Sequence, residues 1–178
     1  MKKNVLISAL IICIMLFASC GSTSKRKQQP INRAALPAMD RSWERSDYKL
    51  LNTVKASVSI AEITKKDKKE IKAEGGEFTN ICNINKKTGA VSYDMGGSKG
   101  SWFVGEIEEL KIVGSPDPCS AVSMASYMAA YRLINEIQSA GADGIVSPNL
   151  RTSQQETEDG ILYTIEISAK MIQLKTED

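Results

Sequence analysis

Histidine is absent from all 178 residues, and that single absence removes a large part of enzymology. Ser–His–Asp and Cys–His systems need an imidazole to take the nucleophile's proton, so neither is open to this chain. Zinc and its neighbours are held by Cys, His and carboxylates, usually four together. The four cysteines include no CxxC pair. An excess of either charge is missing as well. With 23 basic and 21 acidic residues, the chain lacks the basic footprint of a nucleic-acid binder, and no nucleic-acid partner is expected. Gly96, Gly97 and Gly100 are not followed by the lysine and helix that a phosphate-binding loop requires. Glu106 and Glu108 could share one strand face and do acid–base work, although alternating glutamates are ordinary on a wet face. The expectation is a non-enzyme with no cofactor.

Long hydrophobic runs are also scarce. The longest uncharged apolar stretch, Val5 to Phe17 (VLISALIICIMLF), has thirteen residues, whereas a transmembrane helix needs about 20. Lys2 and Lys3 precede it and small residues follow, the pattern of a secretory signal peptide. The stretch that ends it, LFASC, resembles the lipobox of bacterial lipoproteins, with Phe17 where leucine is more usual. In that family the cysteine sulfur receives a diacylglycerol before cleavage, so the resemblance implies that Cys20 becomes the lipidated first residue. The alternative is an ordinary signal peptide cut nearby, with Cys20 lost or free. Two or three acyl chains hold a protein durably on a membrane.

Three segments follow from this reading. Residues 1–19 form a lipoprotein signal peptide, 20–45 a lipidated cysteine with a flexible basic tether, and 46–178 a single globular domain. Between Gly21 and Arg45 six basic residues face only Asp40 and Glu44, in a stretch whose Gly, Ser, Gln and Pro suit a linker.

Beyond the tether the apolar pattern has period two. Tyr48, Leu50, Val54, Ala56, Val58 and Ile60 alternate with polar residues as in a half-buried strand. TKKDKKEIKAEGG is expected to be a solvated excursion or hairpin tip. Phe78, Cys82 and Ile84, a Lys86–Gly89 turn, and Val91 and Tyr93 read as a hairpin. In SWFVGEIEELKIVG the apolar phase slips, which a bulge near Glu108 would reconcile. One helix is predicted, with Asp117 as N-cap and Pro118 at its first position. Met124, Tyr127, Met128, Tyr131, Ile134 and Ile137 form its apolar stripe, to be buried on a sheet, and Gly141 is its left-handed stop. After it come a short strand closed by Pro148, the polar loop RTSQQETEDG, and a final strand alternating from Ile161 to Met171. The fold class predicted is α+β, a mostly antiparallel sheet with one amphipathic helix on one face.

The closing unit, a helix followed by AGADGIVSP and a long strand ending SAKMIQLK, resembles two groups of proteins. They are the small domain family labelled heavy-metal-binding and the outer-membrane stress-sensing lipoprotein of the Rcs phosphorelay. The strand WFVGE and the DPC before the helix bring it closer to uncharacterised Bacteroidetes lipoproteins. This resemblance implies the same α+β fold and says little about activity. The metal label does not transfer easily, because Glu156, Glu158 and Asp159 lack the DxDxDG spacing of a calcium loop.

Two functions from different classes remain. One is a membrane-tethered binding or scaffolding lipoprotein facing the periplasm, anchored to membrane lipid through acylated Cys20 and meeting an envelope protein or a second copy by a sheet edge or helix face. The other is a small-ligand or metal-ion sensor. The outer membrane is the expected location. In the globular part only Cys82 and Cys119 remain, in an oxidising compartment. They are either a disulfide or two unpaired thiols.

Overall fold

A computed structural model describes residues 31–35 and 44–175. The strands, in chain order, are β1 (Ile31–Ala35), β2 (Tyr48–Lys65), β3 (Lys68–Ala73), β4 (Phe78–Ile84), β5 (Val91–Tyr93), β6 (Lys99–Gly100), β7 (Trp102–Glu106), β8 (Gly144–Glu156) and β9 (Ile161–Leu174), with one α-helix, α1 (Ala121–Ser139), between β7 and β8. The fold is α+β. Strands β5-β4-β3-β2-β9-β8 form the main sheet in that order, all neighbours antiparallel, and β6 also pairs with β4.

The period-two pattern produces this sheet directly. Val54, Ala56, Val58 and Ile60 of β2 are buried beside Ile165, Ile167 and Ala169 of β9, and the residues between them face water as alternation requires. Helix α1 covers that apolar face. Met124, Met128, Leu133, Ile134 and Ile137 are buried, as are the small residues Ala125, Ala129 and Ala130. The helix packs against β2, β9 and β7.

The helix begins later than its sequence suggests. Ser120 is the N-cap, its hydroxyl accepting from Ser123 N at 3.2 Å. Asp117 instead closes a turn, accepting from Cys119 N at 2.9 Å, so Pro118 lies before the helix. At the other end Gly141 has φ +65°. Its N–H donates to Gln138 O and that of Ala142 to Ile137 O, at 3.1 and 3.2 Å, the paired bonds of a Schellman stop. The space a Cβ would enter there is open, leaving backbone strain as the only obstacle. Gly141→Val should therefore cost about 1 to 2 kcal/mol, read as a lower urea midpoint; an unchanged midpoint would remove the cap from the account of stability.

Four other segments depart from the pattern. Ile31–Ala35, within the expected tether, forms a strand parallel to β7, with Ile31 opposite Trp102. The lysine-rich stretch is the hairpin tip, one of its two expected forms, turning at Lys66 (φ 53°), and departs only in that its returning strand β3 buries Ile71 and Ala73. No bulge absorbs the phase slip near Glu108. A 3-10 turn over Glu108–Leu110 does so, with Lys111 at φ 58° and Ile107 bridging Ile112. Finally, Pro148 does not end its strand. β8 continues to Glu156 past a register shift between Val146 and Asn149, where Ser147 has φ 53°. Among the described residues β8 pairs only with β9, so an edge position tolerates the missing proline N–H, and the expected loop shrinks to a turn in which Thr157 N donates to Gly160 O at 2.8 Å.

Candidate functional site

The main sheet contains a step. β3 pairs with β2 only from Ile60 to Lys65, and the last backbone bond between the two segments runs from Glu74 N to Ser59 O at 3.1 Å. From Tyr48 to Val58, β2 has a ladder partner among the described residues on its β9 side alone. Because N–H and C=O of one strand residue point the same way in an antiparallel ladder, Ser57 and Lys55 present theirs to the vacant side, in phase with Ser59.

Side chains gather at this step. Arg132, the only basic residue of α1, donates through Nη1 to Ser57 O at 2.9 Å. Its Nη2 donates to Glu77 Oε1. Glu77 lies in the β3–β4 connection, and its other oxygen, Oε2, is buried without a hydrogen-bond partner. A depression of about 410 Å³ opens here, lined by Ser57, Ser59, Glu74 and Gly75 together with that ion pair. A smaller one of about 180 Å³ adjoins it, lined by Phe103, Met128 and Tyr131. The arrangement offers the backbone groups of Lys55 and the Ser57 N–H without a ladder partner among the described residues, a carboxylate oxygen able to accept, and an apolar neighbour. Those are the requirements for holding an extended peptide.

Cys82 and Cys119 are brought together. Their Cα atoms are 5.9 Å apart and their sulfurs bonded, tying β4 to the turn before α1. Beside them Asn80, fully buried, donates to Pro118 O at 3.0 Å and accepts from Trp102 Nε1 at 3.2 Å. Cys20 lies outside the described residues. Glu106 and Glu108 are not paired: Glu106 meets Arg33 at 3.5 Å, while Glu108 is exposed in the 3-10 turn. Glu156, Glu158 and Asp159 are exposed around the β8–β9 turn, and among the described residues no three His, Cys, Asp or Glu side chains are placed to share a metal ion. Met124 and Met128 belong to the core.

Two phenols titrate above their ordinary value. Burial raises Tyr93, and the Asp94 charge adds to it against a hydrogen bond with Ser98. Burial likewise raises Tyr127, with Glu106 adding to it and Val113 O opposing. Each group ionises more easily in the unfolded chain. Their contribution to stability is therefore complete below the ordinary tyrosine range and fades as pH rises through the folded value.

Arg132 and Glu77 went unread in the sequence. A lone arginine among apolar helix residues was the available signal, but nothing local placed it beside a glutamate 55 residues away. No helix among the described residues is long and apolar enough to cross a membrane. No family model matches the chain, and neither a curated protein nor a solved structure is significantly similar to it.

Proposed function

We propose that this chain is a cell-envelope lipoprotein, anchored through acylated Cys20, whose folded part is a non-catalytic binding module facing the periplasm. The partner is an extended segment of another envelope protein, laid along the vacant side of β2. One observation carries the binding part: a strand within the sheet, not at its end, has a free ladder side next to a polar depression. Strand addition at such a site takes affinity from main-chain bonds and specificity from side-chain pockets. The LFASC stretch and the resemblance to Bacteroidetes lipoproteins support the anchor.

The test separates the two halves. Cys20→Ala should abolish palmitate labelling and leave an unprocessed precursor; normal maturation would end the lipoprotein reading. Lys55→Pro removes an N–H on the vacant side while sparing the β9 ladder. Capture of the envelope partner should then fall at least tenfold, with the melting temperature of the variant held within a few degrees. Undiminished capture would exclude this edge.

A small-ligand sensor is the second reading. Glu77 Oε2, buried without a partner beside the 410 Å³ depression, favours a ligand carrying an N–H donor. Native mass spectrometry of protein taken from its envelope would reveal such a bound mass.

A further inference from the structure

Two hairpin turns meet at one end of the main sheet. Ile84 N donates to Asp67 O at 2.7 Å, and Lys86 Nζ approaches the Asp67 carboxylate at 4.0 Å, so the β2–β3 turn and the turn after β4 form one surface. Six lysines stand on it: Lys65, Lys66, Lys68, Lys69, Lys86 and Lys87. Their acidic neighbours are Asp67, Glu62, which holds Lys69 at 2.7 Å, and Glu70. Lys65, Lys66, Lys68 and Lys87 are exposed and have no acidic partner within ion-pair distance among the described residues.

The direction of the chain gives this surface a neighbour. β1 runs parallel to β7, and its first residue pairs with Trp102. The Trp102 ring packs on Tyr93 at 5.7 Å. Tyr93 pairs with Cys82, and the next same-face step along β4, Ile84 with Val91, borders the Lys86–Gly89 turn. The tether therefore enters the fold beside the strands that carry the lysines. Ten residues lie between Cys20 and Ile31, a reach of at most about 40 Å.

Resting on the anchor reading, we propose that this lysine-rich end sits on the anionic headgroups of the membrane that holds Cys20, which would leave the vacant side of β2 turned toward a partner. Basic clusters close to an anionic leaflet are attracted to it and released by salt.

The test uses the protein as extracted from the membranes of its host, added to vesicles of neutral phosphatidylcholine, or of phosphatidylcholine with about a third phosphatidylglycerol. Flotation reports attachment, and acylation by a water-soluble ester reports exposure of each lysine. Flotation with both vesicles, with Lys66, Lys68 and Lys87 labelled at least threefold more slowly on the anionic ones and Lys55 and Lys170 unchanged, is the expected result. Salt at about 0.5 M should restore the labelling, and the combined Lys66→Glu, Lys68→Glu, Lys87→Glu variant should lose the salt-sensitive protection of Lys65. Flotation with both and equal labelling would overturn the docking and leave the anchor standing. Salt-sensitive flotation with anionic vesicles alone would overturn the anchor and support the docking, and flotation with neither would overturn both.

Discussion

Gly105→Ala is expected to cost about 4 kcal/mol or more, enough to leave a domain of this size largely unfolded at 37 °C. A Cβ built on Gly105 would lie 2.1 Å from Tyr131 N and 2.4 Å from the Ala130 carbonyl carbon. Both are backbone atoms of α1, so no side chain can rotate away. Either β7 or the helix must shift, and the helix is held on its other contacts by Met128, Leu133 and Ile134, all buried. Overpacking of a side chain against side chains usually costs about 1 to 3 kcal/mol; contact with a helix backbone belongs above that range. Gly96→Ala is the matched control, because its added Cβ would meet the Asp94 carboxylate no nearer than 3.5 Å, an ordinary contact. Urea unfolding of the two variants decides the matter. Similar midpoints for Gly105→Ala and wild type would mean that β7 does not lie against the helix as described.

The second large effect concerns the bond between Cys82 and Cys119. They stand 37 positions apart in the sequence, and closing a loop of that length restricts the unfolded chain by roughly 3 to 4 kcal/mol. Replacing both by alanine should lower stability by that amount, because Cys82 and Cys119 are both buried and leave little polar surface unpaired. The released element is the turn before α1, so Asn80 would be the first group to lose its Pro118 partner. Intact mass after alkylation without reductant provides the direct check. Alkyl groups located on Cys82 and Cys119 by peptide mapping of the denatured protein would rule the bridge out, and neither would carry one if it is present.

Much of the architecture was legible in residue order. The alternation from Val54 to Ile60 and from Ile161 to Met171 encodes which face of each strand is buried, because a strand's side chains alternate by construction. The helical spacing of Met124, Met128 and Ile137, and a glycine where a left-handed stop is needed, encode one helix and its end. These are local properties. They depend on period and on the conformations a residue can adopt, and a sequence carries both.

Only the tertiary structure decided the rest, for a different reason in each case. The polar stretch Arg151–Glu156 reads as a loop, since both its faces are wet, yet it is a strand because β9 supplies its backbone with partners. The parallel pairing of Ile31–Ala35 with β7 joins residues about 70 apart, which no local period records. Whether Cys82 could reach Cys119 depended on the placement of α1 over the sheet, and the meeting of Arg132, Glu77 and the vacant side of β2 depended on where β3 leaves its neighbour. Ladder pairing is set by two chains at once. An open edge is therefore a property of the assembled sheet, and the residues along it are the same alternating Lys55, Ser57 and Ser59 that would line a fully paired strand.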